Sequence, residues 1–279
     1  SLLGDITATQ VRLAAGGGAL ALDEFNVTTA TGAGDGNGTI ILIGRGVTQG
    51  AGSVVDAGAS TLAVDGKDVD NNGSANIDLA GELKTTNNTS SAVRVYHSVN
   101  TGSSIKVGQI TATSGQVTIG TSSTTLSGGN TSGAVSQYSD DVDTTMIIDA
   151  DKLLVESRSA ITLNNDNKLN ELLGVRYGGS VDIKDMDGLL LSGDINVFSG
   201  NGFSSVKLET AATGGAGEAL LDVNGQNITA NGITLLGQGA GANGTLTGGV
   251  VSDGGTLEAK NGAILVDAGD GKIDFAGTT

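Results

Sequence analysis

Short apolar–polar–apolar triplets recur along this chain and dominate its pattern of hydrophobic and polar positions. Val11-Arg12-Leu13, Val117-Thr118-Ile119 and Ile233-Thr234-Leu235 are examples, and the middle residue is polar or charged in each. Alternation with a period of two turns one face of a segment inward and the other toward water, as in a short β-strand. No stretch of comparable length shows a sustained helical spacing of apolar residues. The sequence therefore predicts an all-β fold.

Turn dipeptides separate the triplets. Asn-Gly occurs at Asn231 and Asp-Gly at Asp187, among many similar sites. These residues tolerate the positive φ angles that sharp corners require. The same dipeptides also join the hairpins of antiparallel sandwiches. The turns alone therefore leave a stacked-coil fold and a sandwich both open.

The spacing of the apolar segments favours stacked coils. Val181, Leu189 and Ile195 mark one run of short steps, and most steps elsewhere are six to nine residues long. Three such strands with their corners give a coil of roughly 20–23 residues, which lies within the range of solenoid repeats. With a strand spacing of about 4.8 Å, about 12–14 coils would form a parallel β-helix (β-solenoid). Strands of three or four residues gain their stability by stacking on neighbours.

The composition and charge of the chain argue against some classes of function. The chain has 47 glycines, no proline, cysteine or tryptophan, and only 3% aromatic residues, so aliphatic side chains must fill any core. Its formal charge of −16 argues against nucleic acid as a partner, because phosphate binding requires clustered Lys and Arg. The chain also lacks the roughly 18 consecutive apolar residues of a membrane helix. We expect a solvated surface and no membrane insertion.

We expect residues 1–279 to form a single β-solenoid segment of a longer repeat protein. Neither end carries a covering element, although solenoid ends need one; end-to-end polymerisation is the second explanation. Three segments depart from the regular pattern and are predicted as irregular loops, near 84–104, 138–145 and 164–179. The last of these holds Leu169, Leu172 and Leu173 at helix-like spacing.

Several stretches resemble a known family. They are Gly4-Asp5-Ile6-Thr7, Gly193-Asp194-Ile195-Asn196, and the longer runs 47–64 and 179–197. They are similar to the stalk repeats of filamentous-haemagglutinin-type exoproteins, the large secreted adhesins of two-partner secretion. This resemblance implies a right-handed β-helical shaft on a bacterial cell surface, holding a binding tip away from the envelope. The family's secretion domain carries Asn-Pro motifs and cannot lie in a chain without proline.

Candidate catalytic groups are few. His97 is the only histidine, so triads and metal clusters built on histidine are nearly excluded. Asp140, Asp141 and Asp143 form the densest carboxylate cluster, and paired carboxylates are what glycoside hydrolysis requires. With no tryptophan to stack on sugars, a solvated acidic loop is the simpler interpretation. We predict no catalytic residues and no resident cofactor.

Calcium is the one metal for which the sequence offers a candidate. Asp68, Asp70 and Asn72 match the first half of an EF-hand loop, which places oxygen ligands at alternating positions before a glycine. The closing glutamate should fall at position 79, which is Leu79. Residues 34–38 resemble a single unit of a glycine–aspartate calcium repeat, and such sites need tandem units. An acidic turn is the favoured interpretation of both segments.

Asn-x-Ser/Thr sequons and Thr-Ala-Thr segments have structural explanations too. The sequons begin at Asn26, Asn37, Asn87, Asn88, Asn130, Asn227 and Asn243. They are possible glycosylation sites, but Asn and Thr are also abundant turn and strand residues. Two distant Thr-Ala-Thr copies do not support an ice-binding array.

These observations lead to one functional hypothesis and one alternative. The leading hypothesis is a secreted or surface-bound bacterial adhesin whose β-helical shaft has a mechanical role and no catalysis. Its partners would be host or neighbouring cells, or further copies of itself. The alternative is a β-helical polysaccharide-binding or -cleaving protein similar to a tailspike or lyase. A lateral groove with clustered carboxylates and basic residues would favour the alternative.

Overall fold

The computed structural model describes most of the chain, and within that part every regular element is a β-strand. The described residues are 4–29, 38–67, 75–97, 103–121, 133–139, 146–157, 159–176, 179–197, 204–212, 219–239, 248–269 and 271–277. The predicted all-β class is confirmed, and the strands pair in parallel. These residues contain no helix that could span a membrane.

The chain groups into two compact units, Ser1–Asp151 and Lys152–Thr279, and strand β13 (Ile148–Glu156) contains the division between them. The strands described in the first unit are short apart from β9 and β11. They are β1 (Ile6–Ala8), β2 (Val11–Ala15), β3 (Leu20–Ala21), β4 (Val27–Thr29), β5 (Ile40–Gly44), β6 (Val47–Gln49), β7 (Val54–Asp56), β8 (Leu62–Gly66), β9 (Ile77–Lys84), β10 (Val93–His97), β11 (Ile105–Thr121) and β12 (Val135–Gln137).

These strands form three parallel ladders that the chain visits in turn. Ladder 1 contains β1, β4, β7, the end of β9 and the middle of β11. Ladder 2 contains β2, β5, β8, β10 and the end of β11. Ladder 3 contains β3, β6, the beginnings of β9 and β11, and β12. The chain therefore returns to the same ladder after every third strand segment.

The core of the first unit consists of aliphatic side chains stacked in register. In ladder 2, Ile40 pairs with Leu62, Leu62 with Val93, and Val93 with Val117, and all four side chains are buried. Each fully buried side chain of this kind contributes about 1.5–3 kcal/mol. The intervening residues point outward, as the triplets of the sequence predict.

The second unit has the same organisation. Its described strands are β14 (Ile161–Arg176), β15 (Val181–Asp185), β16 (Leu189–Leu191), β17 (Ile195–Asn196), β18 (Ser205–Ala212), β19 (Leu220–Asp222), β20 (Ile228–Ala230), β21 (Gly232–Gly239), β22 (Gly249–Ser252), β23 (Leu257–Ala259), β24 (Ile264–Asp267) and β25 (Lys272–Phe275). Ladder 4 contains the end of β14, β17, β20 and β23. Ladder 5 contains the beginning of β14, β15, β18, β21 and β24. Ladder 6 contains the middle of β14, β16, β19, β22 and β25.

The chain length between paired strands is more variable than the sequence predicts. Asn26 bonds to Asp5, 21 positions earlier, whereas Asn227 bonds to Asp194, 33 positions earlier. Asn76 and Ser104, one position before paired strands of ladder 3, are 28 positions apart. The predicted repeat of 20–23 residues is therefore wrong for most layers. The ladders fix the strands, whereas the connections at the corners differ in length.

Residues 164–176 are the clearest departure from the predicted irregular loops, because they belong to β14. Leu169, Leu172 and Val175 are buried along this strand. β14 bends through ladders 5, 6 and 4 in turn. Each bend restarts the inward–outward alternation, which explains why the apolar residues mimic helical spacing.

The other two predicted loops are described only in part. Residues 85–92 contain no strand, but Val93–His97 form β10, so the segment 84–104 is not one continuous loop. In the segment 138–145, only Tyr138 and Ser139 are among the described residues. That the whole chain is a single β-solenoid segment stays a prediction.

Candidate functional surface

Charged side chains line the outward face of ladder 5. Asp182 of β15 is the register partner of Lys207 of β18. The Lys207 ammonium lies 2.7 Å from a carboxylate oxygen of Glu209 and 3.7 Å from one of Asp182. The hydrogen bond to Glu209, aided by the charge of Asp182, raises the pKa of Lys207. The lysine therefore stays charged and holds two carboxylates on neighbouring strands.

Two further lysines of the second unit are paired in the same way. Lys184 contacts a carboxylate oxygen of Asp166 at 2.5 Å. Lys152 and the hydroxyl of Ser192 both donate to Glu171. The Lys152 bond, followed by that from Ser192, lowers the pKa of Glu171. The lowered pKa keeps the Glu171 carboxylate ionised, whereas a general acid must keep its proton near neutral pH.

An aromatic residue of the first unit is also engaged by its neighbours. Asp78 and Lys106 are register partners in ladder 3. The Lys106 ammonium lies 3.7 Å from the centre of the Tyr138 ring, a cation–π geometry, and the Tyr138 hydroxyl bonds to Asp78. Burial, reinforced by the bond to Asp78, raises the pKa of Tyr138 to about 12. One face of this ring is therefore occupied and closed to a stacked sugar.

Polar residues occupy core positions where ladder 5 turns toward ladder 6. Asn167, Asp185 and Thr210 lie on β14, β15 and β18, pair in register and are fully buried. The Asn167 amide donates to the carbonyls of Leu163 and Lys184, both at 3.0 Å. The Thr210 hydroxyl donates to the Ala219 carbonyl at 2.8 Å.

The Asp185 carboxylate is satisfied by backbone donors. It accepts the N–H groups of Leu169 at 2.7 Å and Asp187 at 2.9 Å. Burial raises the pKa of Asp185 to about 7, against the lowering effect of these two bonds. This buried carboxylate fixes the bend of β14 against the end of β15, and its side chain does not reach the surface.

One corner occurs in both units. In the first, the carboxylate of Asp5 accepts the backbone N–H of Asn26, and Asp23 adopts a φ of 47°. In the second, Asp194 accepts the N–H of Asn227, and Asn224 adopts a φ of 49°. Asp23 and Asn224 are the only non-glycine residues with positive φ in the described part of the chain. The Gly-Asp-Ile motifs of the sequence are therefore parts of a corner that ties successive strands together.

The candidate residues predicted from the sequence do not come together in a described site. His97 is buried at the end of β10. The calcium candidates Asp68, Asp70 and Asn72 lie outside the described residues, as do Asp140, Asp141 and Asp143. Where the structure is described, acidic and histidine side chains form no cluster of three that could hold a metal ion.

Sequence reasoning missed the buried polar residues, although the signal was present. The triplet Val181-Asp182-Ile183 continues through Lys184 to Asp185, and its alternation places position 185 inward. An inward aspartate or threonine within such a run marks a corner where backbone groups need side-chain partners.

Comparisons with protein-family models, with curated proteins and with solved structures found no match to this chain.

Proposed function

We propose that this chain is a segment of a rigid right-handed parallel β-helical shaft with a mechanical role. The observation that carries this proposal is the in-register stacking of buried aliphatic residues on three parallel ladders in each unit. When a chain adds one strand to each of three parallel ladders in a fixed order, every set of three strands forms one coil. Each coil is displaced from the last by one strand spacing along the axis of the stack. Parallel crossover connections are right-handed in nearly all proteins, which supports the handedness.

The outward side chains support a mechanical role over a catalytic one. Lys152, Lys184 and Lys207 each contact a carboxylate on a neighbouring strand. Such pairs join adjacent layers and keep the lateral surface solvated. The described residues that could favour polysaccharide chemistry, the carboxylates and lysines of ladder 5, are thus occupied by one another. The longer strand separations imply fewer coils than the predicted 12–14.

We further propose that the shaft belongs to a secreted adhesin of the filamentous-haemagglutinin type, displayed on a bacterial cell surface. The support is the resemblance carried by Gly4-Asp5-Ile6 and Gly193-Asp194-Ile195, whose aspartates occupy equivalent corners. The formal charge of −16 supports a solvated surface. In this proposal the shaft holds a contact for host or neighbouring cells away from the envelope.

X-ray diffraction from an oriented sample tests the shaft. Strands that run across the long axis give a reflection at about 4.8 Å along that axis. We expect this axial reflection, together with thin particles of uniform width in electron micrographs. Round particles without an axial 4.8 Å reflection would contradict the shaft. Surface display is tested separately by labelling intact bacteria with an antibody to the chain; labelling only after lysis would contradict it.

A further inference from the structure

Four Asn-x-Ser/Thr sequons lie wholly among the described residues, and one of them differs from the rest. They begin at Asn26, Asn87, Asn88 and Asn227. An asparagine accepts a sugar in a folded chain only when its side-chain nitrogen is free to react and its sequon lies on the surface. The exposure and hydrogen bonding of the four amides therefore decide which of them is an acceptor.

The amides of Asn26 and Asn227 are engaged at the corners that join two layers. The side-chain oxygen of Asn26 accepts the backbone N–H of Val54 at 2.8 Å, and its nitrogen lies 3.5 Å from the Asp5 carboxylate. The Asn227 nitrogen lies 3.2 and 3.3 Å from the two carboxylate oxygens of Asp194. In both sequons the next two residues belong to a strand, β4 or β20. A sugar on either nitrogen would displace these contacts.

Asn87 is engaged as well. Its side-chain oxygen accepts the backbone N–H of Thr89 at 2.8 Å, and its nitrogen donates to the Thr61 hydroxyl at 3.3 Å. The carbonyl of Thr89 accepts the N–H of Gln116 at 3.1 Å. Thr61 directly precedes β8 and Gln116 precedes the end of β11, the two strands that flank β10. Residues 87 and 89 are therefore anchored to the layers on both sides.

Asn88 lies between these two anchored residues and has an exposed side chain. No hydrogen bond joins its amide to another described residue. Its sequon ends at Ser90, which is also exposed, and residues 85–92 contain no strand and no charged side chain. A transferase can therefore reach the Asn88 nitrogen and the Ser90 hydroxyl from solvent, while the neighbouring bonds hold the backbone in place.

We propose that Asn88 is an N-glycosylation site, modified by a transferase that uses a phosphate-activated sugar. The Asn88 nitrogen attacks the anomeric carbon of the sugar and forms a C–N bond. The bond from that carbon to the phosphate oxygen breaks, the phosphate carrier leaves with the electron pair, and the nitrogen loses one proton. This modification requires only the geometry of residues 85–92, so it does not depend on the chain being an adhesin shaft.

Site-resolved mass spectrometry tests the choice among the four sequons. The folded chain, and short synthetic peptides that cover the same sequons, are incubated with UDP-glucose and a bacterial N-glycosyltransferase. We expect the peptides of Asn26, Asn88 and Asn227 to be modified, because free peptides lack the corner bonds. In the folded chain we expect glucose on Asn88 and its loss from Asn26 and Asn227. Equal modification of all three sites in the folded chain would contradict the proposal.

Two matched variants separate Asn88 from Asn87, because their sequons overlap. Ser90→Ala removes the Asn88 sequon and leaves that of Asn87 intact, whereas Thr89→Ala does the reverse. Circular dichroism confirms that both variants are folded. We expect Ser90→Ala to lose the modified peptide and Thr89→Ala to keep it. The opposite pattern would assign the sugar to Asn87 and overturn the proposal.

Peptide mapping of the chain isolated from its natural source tests whether the site is used. We expect a sugar on the peptide that contains Asn88. A single hexose would indicate a nucleotide-linked donor and a longer oligosaccharide a lipid-linked donor, and either supports the site. An unmodified Asn88 in the natural chain would overturn the proposal.

Discussion

The carboxylate of Asp194 accepts the backbone N–H of Asn227 at 2.8 Å, although the two residues are 33 positions apart. Asp5 and Asn26 make the same bond at 2.8 Å across 21 positions. In both cases the bond joins the starts of two paired strands. The corner thus holds the register of a ladder whatever the length of chain between its strands.

Replacing Asp194 with alanine should weaken this corner. We expect Asp194→Ala to lower the free energy of unfolding by about 0.5–1.5 kcal/mol, the usual net contribution of one hydrogen bond. Urea denaturation measures the change. Asp149→Ala, an outward aspartate on β13, is the matched control. Equal losses for the two variants would show that the Asp194–Asn227 bond has no particular role.

Charge at an inward position should be far more damaging than charge at the adjacent outward one. Ile233 is buried, whereas Thr234 points outward opposite Lys207. Ile233→Asp should cost several kcal/mol because it buries an unpaired carboxylate. Thr234→Asp should change the free energy of unfolding by less than about 0.5 kcal/mol. Thermal unfolding compares the two, and equal stability would contradict the inward–outward assignment.

The sequence was sufficient to predict the strands and the direction of their side chains. Val117, Ile233 and Leu235 are buried as the triplets predict, because alternation directly reports which face meets the core. The chain length per layer could not be predicted. Strand pairing tolerates connections of any length, so 33 positions separate Asp194 from Asn227 where a shorter repeat was expected.

The polar contacts could be predicted less well than the core. Asp185 belongs to an alternating run, but its partners are the backbone groups of Leu169 and Asp187. Side-chain spacing carries no information about which backbone N–H lies unpaired at a bend. The pairing of Lys106 with Tyr138 depends on neighbouring ladder positions. Sequence order does not reveal such neighbours until the register is known.

Asp185 should make stability depend on pH. Its pKa in the folded chain is about 7, raised by burial from 3.8. The folded state therefore binds the proton more tightly than the unfolded state. The contribution of Asp185 to stability is therefore largest below pH 3.8, falls as the pH rises toward 7, and is level above that. The difference in pKa corresponds to about 4 kcal/mol as an upper bound.

The variant Asp185→Asn tests this dependence because its amide does not titrate. Unfolding free energies measured between pH 4 and pH 7 should fall less steeply for Asp185→Asn than for the wild type. Asp149→Asn, on the outward face of β13, is the matched control variant. An unchanged slope in Asp185→Asn would assign the pH dependence to other groups.

Gly81 should resist replacement because its corner packs closely against residues 49–53 of the preceding layer. A Cβ atom there would lie 2.3 Å from the Ser53 carbonyl oxygen and 2.6 Å from the Gln49 side-chain nitrogen. Gly81→Ala should therefore lower the melting temperature markedly. At Gly52 a Cβ atom would meet nothing within 4 Å, so Gly52→Ala is the matched control. A Gly81→Ala variant as stable as Gly52→Ala would contradict the corner geometry.

Disulfide formation between introduced cysteines tests the parallel ladders most directly, because the chain has no cysteine of its own. Lys207 and Thr234 are register partners on adjacent strands, about 4.8 Å apart and within bridging distance. Lys207→Cys with Thr234→Cys should oxidise to an intramolecular disulfide. Lys207→Cys with Leu265→Cys spans two layers, about 9.6 Å, and should stay reduced. The opposite pattern would contradict the layered parallel fold on which the proposed shaft depends.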